Sequence, residues 1–115
     1  MQREVLKYVY DIQEACDLLG TFTFGRTFAE YRSDAMLRSA VERQFEIIGE
    51  ALSQAIRVDP NLVEAIRDTS NIIGFRNRLI HAYFQIDHEI VWNVVDRYLP
   101  ALRDDVNAVL LAGDS

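Results

Sequence analysis

Apolar residues recur three and four positions apart through most of this chain. Val5, Val9, Ile12, Cys16 and Leu19 follow that spacing, and Gly20 stands directly behind them. The pattern predicts an amphipathic helix over about residues 2–19, stopped at the glycine. The stretch 21–33 carries Phe22, Phe24, Phe28 and Tyr31 around Gly25. It reads as a loop with a short helix whose four aromatic rings pack down on the rest of the molecule. Leu37, Val41, Phe45, Ile48 and Leu52 then define a second long helix, which Ser33 or Asp34 can cap and which Asp59-Pro60 ends. Gly49 lies inside it, at a cost of about 1 kcal/mol relative to alanine, so another backbone is expected to approach closely there, a symmetric partner being one candidate.

Pro60 suits the first turn of a short helix with Leu62, Val63 and Ile66, after which Asp68-Thr69-Ser70 or Asn71 can cap the next one. That next helix is predicted from Asn71 to about Phe84. Asp87 caps a long last helix with Ile90, Val91, Val94, Val95, Tyr98, Leu102, Val106 and Val109 on one face and a possible kink at Pro100. No strand-like alternation and no hairpin turn interrupts the series. The fold class expected is all-α: a bundle of four main helices plus short pieces, in one domain spanning residues 1–115.

Charge narrows the function. A net charge of −6 is unsuited to a broad basic face for long nucleic acid, so any chemistry on nucleic acid must use a local site. A single cysteine, Cys16, allows no intramolecular disulfide and no multi-thiolate zinc site, and fits a reduced thiol in a cytoplasmic protein. No apolar run reaches the roughly 18 residues of a membrane span, and the first residues lack the pattern of a secretion signal. A domain this short also has a small core, which makes dimerisation a natural source of stability.

The segment Gly74 to Phe84 concentrates the candidate chemistry: Arg76, Asn77, Arg78, His81 and Tyr83 among large apolar side chains. At about 100° per residue, Arg76 falls inside the apolar arc of Ile72, Ile73, Leu79 and Ile80. Asn77 and His81 form a polar ridge beside that arc, Tyr83 comes round next to Arg76, and Arg78 points away. A guanidinium on an apolar face needs a partner, because an unpaired buried charge costs several kcal/mol. One reading is structural: an ion pair with Glu46 or Glu50 of the second long helix, with His81 and Tyr83 as packing residues. The other is catalytic. Cutting RNA without a metal requires a base for the 2′-hydroxyl proton, an acid for the leaving 5′-oxygen and a cation for the transition-state charge. One histidine cannot be base and acid at the same moment, but two copies of this helix across a twofold axis would supply two His81 and two Arg76.

The arginine, polar residue and histidine at positions 76, 77 and 81 resemble the signature of HEPN domains. The wider context of IIGFRNRLIHAYFQID at 72–87, AVERQFEIIGEAL at 40–52 and VWNVVDRYLPAL at 91–102 resembles the HepT-like branch of that superfamily over essentially the whole chain. The resemblance implies a HEPN-like helical homodimer acting as a metal-independent endoribonuclease toxin, neutralised by a minimal nucleotidyltransferase antitoxin. Arg76 and His81 match the catalytic pair, and Asn77 the polar residue that orients the histidine or the phosphate. Tyr83 matches the tyrosine that the partner enzyme adenylylates, and Arg78 is left as an RNA contact or a solvated charge. The alternative is a catalytically silent HEPN module that binds nucleotide or docks to a partner, which an acidic surface would also suit. No cofactor is expected. His81 and His88 lie seven positions apart, which lacks the i, i+4 pairing of helical zinc sites.

Overall fold

The computed structural model describes residues 1–113 and is built from helices, with no strand among those residues. The helices are α1 (Arg3–Thr23), α2 (Phe28–Ser33), α3 (Ala35–Val58), α4 (Leu62–Ala65), α5 (Thr69–His81), α6 (His88–Asn93) and α7 (Leu99–Gly113). A 3-10 turn at Tyr83–Gln85 follows α5, and a π-helical turn at Val94–Tyr98 joins α6 to α7. The central helix is α3: α1 lies along it on one side, α5 packs on it as well, and α7 closes the bundle against α1. The core draws Val5, Val9, Ile12 and Leu19 from α1, Val41, Ile48 and Leu52 from α3, and Leu102, Val106 and Val109 from α7. Full burial of a side chain of this kind stabilises by about 1.5–3 kcal/mol. None of these helices is long and apolar enough to cross a membrane.

The elements stop and start for identifiable reasons. Asp34 and not Ser33 caps α3, its carboxylate accepting from the Leu37 N–H at 3.0 Å. Thr27 and Glu30 form a reciprocal capping box on α2, and Asp87 caps α6 through the N–H groups of Glu89 and Ile90. Asp68, at φ 60°, is the left-handed residue ahead of α5 and caps it without a side-chain hydrogen bond. The Arg67 guanidinium and backbone N–H all donate to Asp105 of α7 at 3.0 Å, which pins the start of α5 to the last helix.

Several expectations are corrected. Gly20 does not stop α1; the helix runs on to Thr23, and Gly25, at φ 71°, supplies the left-handed residue that turns the chain. Of the four aromatic rings in 21–33, Tyr31 is fully buried and Phe22 and Phe28 pack on the core, but Phe24, at the end of α1, is 88 % exposed. Helix α5 ends at His81, not near Phe84, because Ile86 is drawn onto the core and Asp87 already caps the next helix. In the last helix the irregularity precedes Pro100. The Leu99 N–H reaches back five residues to the Val94 carbonyl, a widened turn just ahead of a residue that has no N–H to give. The extra residue in that turn rotates the face beyond it, so Leu99 enters the core while Tyr98 (50 % exposed) does not; Ile90, ahead of the turn, is also left 39 % exposed.

Candidate active site

Helix α5 crosses α3 where α3 has no side chain. Gly49 is buried, and a Cβ placed on it would lie 2.2 Å from Arg76 Cβ and 2.5 Å from Arg76 Cγ. The close approach read from Gly49 is therefore real, but what approaches is the stem of Arg76 in the same chain rather than the backbone of a symmetric partner. Laid over this gap, the side chain reaches the α3 surface one residue further on, where Nη2 donates to Glu50 Oε2 at 2.9 Å. Nη1 donates to Asn77 Oδ1 at 2.8 Å. Nε is buried and has no hydrogen-bond partner in the protein. Of the two acids considered for this pair, Glu50 is the partner; Glu46 instead lies 3.5 Å from Arg43, within α3.

The ion pair is not sealed. The Arg76 side chain is 25 % exposed and opens, with Glu50, onto a cavity between α1, α3 and α5 that is also lined by Tyr8, Asp11, Arg43 and Glu46. Its walls thus alternate in sign. A single-point pair at a half-exposed carboxylate contributes little stability, about 0–1 kcal/mol, since water screens it. The geometry is that of a cation kept oriented and reachable rather than one buried for stability.

The other predicted residues are distributed around this centre. Asn77 is exposed and joined directly to Arg76. His81, one turn further along the same ridge, is exposed and forms no hydrogen bond to either of them among the described residues. Tyr83 does not come round beside Arg76 on the helix, because α5 has already ended; it sits on the 3-10 turn, 73 % exposed, with its ring edge-to-face against Phe84 at 5.9 Å. Arg78 lies on the opposite side of α5, on the rim of an apolar groove between α5 and the α6–α7 arm lined by Phe75, Ile90, Val94 and Tyr98. His88 begins α6 and packs edge-on to Tyr31 at 6.3 Å. Among the described residues no three His, Cys, Asp or Glu gather in a cluster that could hold a metal ion. Burial pushes the Cys16 thiol up to about 12, with Asp17 adding to it, so this thiol is protonated and inert.

Sequence reasoning did not foresee the cavity, its Tyr8 and Asp11 wall, or that Gly49 makes room for the stem of Arg76. The signal available was the pairing of a helix-interior glycine with an acid at the next position, facing a lone arginine on an apolar face.

A family model for HepT-like ribonucleases matches residues 12–109 of the chain. A "Putative RNase" of Methanocaldococcus jannaschii is 35 % identical over 113 residues, covering 94 % of this chain and 98 % of that protein. A "Probable ribonuclease HepT" of Thermococcus cleftensis is 35 % identical over 103 residues, 90 % of this chain and 93 % of its own. A third relative, a "Putative RNase" of Caldanaerobacter subterraneus, is 30 % identical over 109 residues, covering 90 % of this chain and 91 % of its own. No solved structure gives a significant match. With the family model spanning most of the helical bundle and these relatives aligned along nearly their whole length, the chain belongs to the HepT-like ribonuclease family.

Proposed function

We propose that this protein is a metal-independent endoribonuclease toxin, a single HEPN-like domain that acts as a homodimer, with Arg76 and His81 as its catalytic residues. The observation that carries the reading is Arg76 itself. Its stem lies in a gap made by Gly49, its guanidinium is oriented by two acceptors, and it still faces an open cavity in a chain of ribonuclease family. In the reaction, one His81 takes the proton from the 2′-hydroxyl and the 2′-oxygen attacks the adjacent phosphorus. The bond from phosphorus to the 5′-oxygen breaks, and the leaving oxygen takes a proton from the partner's His81. Arg76 stabilises the charge on the non-bridging oxygens, and the product end is a 2′,3′-cyclic phosphate. Asn77 holds the guanidinium, and Arg78 supplies an additional contact to RNA.

A homodimer accounts for the state of His81, which is exposed and has no hydrogen-bond partner among the described residues of its own chain. Tyr83, two residues after His81 and 73 % exposed, is accessible to a nucleotidyltransferase antitoxin. Transfer of AMP from ATP to its phenolic oxygen, with pyrophosphate leaving, would add a bulky anion beside the histidine and block RNA. A second reading is supported by the Arg76–Glu50 pair and the net charge of −6: a silent module in which the cation is neutralised and the acidic surface docks to a partner. Expression in a bacterial host separates the two. The toxin reading predicts growth arrest by the wild-type chain and none by His81→Ala; equal arrest by both would sink it.

A further inference from the structure

We propose that Glu50 is a positioning residue for Arg76: it acts through the guanidinium, holding it in the orientation in which it meets a phosphodiester. The inference deepens the catalytic reading of Arg76 given above and rests on it. Gly49 fixes only the stem, since its missing side chain accommodates Arg76 Cβ and Cγ and leaves the outer torsions free. Those torsions are set by two acceptors on different helices. Glu50 of α3 takes Nη2 at 2.9 Å, and Asn77 of α5 takes Nη1 at 2.8 Å.

Glu50 is itself held for this purpose. Its Oε1 accepts from Gln54 Nε2 at 3.0 Å, which leaves Oε2 for Arg76, and the Gln54 amide is oriented in turn by a hydrogen bond from Arg57. Each Nη carries two N–H groups and spends one on its acceptor, so one on each remains to meet the non-bridging oxygens of a phosphate. Nε is buried, so a substrate would meet the guanidinium through these Nη groups. The same contact could instead act as a plug, with the carboxylate competing against phosphate. Two observations speak against a plug: the contact is single-point where a competitor would take the bidentate fork, and Glu50 is half exposed, so water weakens its hold.

The roles predict opposite signs. As a positioning residue, Glu50 replaced by Ala lowers kcat by roughly ten- to hundred-fold, the cost of a misplaced catalytic group, while KM stays within about three-fold. Glu50→Gln, which keeps an acceptor oxygen, retains most of kcat. An Ala variant as fast as or faster than wild type, or a Gln variant as impaired as Ala, overturns the proposal. Positioning is also read without turnover, from the 15N–1H signal of Arg76 Nε, assigned by its absence in Arg76→Lys. Its N–H should exchange slowly with solvent in the wild-type protein and in Glu50→Gln, and should exchange faster and broaden in Glu50→Ala. Unchanged exchange in Glu50→Ala overturns positioning, whereas a wild-type protein that cuts no RNA but shows the exchange difference overturns the catalytic reading alone.

Discussion

Gly49→Ala isolates the contact on which the site is built. In an ordinary helix interior the change stabilises by about 1 kcal/mol, because alanine restricts the unfolded chain and favours the helix. Here the new Cβ would stand 2.2 Å from Arg76 Cβ and 2.5 Å from Cγ. The Cβ of Arg76 is fixed to the α5 backbone, so side-chain rotation cannot relieve the overlap and the two helices must separate. Overpacking that displaces backbone costs about 1–3 kcal/mol, and an overlap this deep belongs at the upper end. Subtracting the helix gain leaves a net loss of about 2 kcal/mol. For 115 residues the unfolding entropy is roughly 0.24 kcal/mol/K, so Tm should fall by about 8 °C. The assay is thermal unfolding by calorimetry in a double-mutant cycle. Arg76→Ala keeps its Cβ and should not rescue the variant. In an Arg76→Gly background the obstacle is gone, and Gly49→Ala should raise Tm by about 4 °C, the helix-propensity term alone. A Gly49→Ala protein as stable as wild type, or more stable, would refute the close crossing of α5 over α3.

Other expectations follow from the charges. Its hydrogen bond from Arg67 holds the Asp105 carboxyl below its ordinary value, so its contribution to stability is present above the usual carboxylate range near 3.9 and is lost as pH falls toward the folded value. Asp105→Asn should therefore lower Tm at pH 7 and flatten the acid limb of a Tm-versus-pH curve; an unchanged acid limb would exclude this linkage. Glu42 has the opposite sign: burial, the largest cause, raises its carboxyl, so the fold favours the protonated form and loses that preference as pH rises. Glu42→Gln should raise Tm at pH 7, with the gain shrinking toward pH 4, and a gain that grows in acid would contradict the assignment. Tyr83→Phe should cleave RNA as wild type does, since the ring lies on an exposed turn, yet resist inactivation by a cognate nucleotidyltransferase with ATP. Incorporation of labelled AMP into that variant would exclude Tyr83 as the acceptor.

The regular parts of the fold were legible because one periodicity governs them. Val41, Phe45, Ile48 and Leu52 can share one face only in a helix, and all are buried in α3. Where local and tertiary preferences compete, the sequence is ambiguous. Gly20 and Gly25 are equal as stop signals on paper, but only Gly25 adopts a left-handed φ, while Gly20 stays in the helix beside Arg103. Nothing between His81 and Gln85 breaks a helix by itself; the demand of Ile86 for the core ends α5 and removes Tyr83 from the side of Arg76. One extra residue in the turn before Pro100 moves Tyr98 outward, and periodicity carries no mark of such an insertion. At the site, Arg76 could be recognised as a cation in need of a partner. The choice of Glu50 over Glu46 was not legible, because the two acids sit one turn apart on the same helix and only the crossing at Gly49 decides between them.

The most direct test of the central claim is cleavage of total RNA and of tRNA by the purified protein in EDTA, beside Arg76→Ala and His81→Ala, with the product ends identified. The account predicts cuts by the wild-type protein that leave 2′,3′-cyclic phosphate and are lost in both variants. Cleavage that survives either substitution, or that needs an added divalent metal, would contradict it.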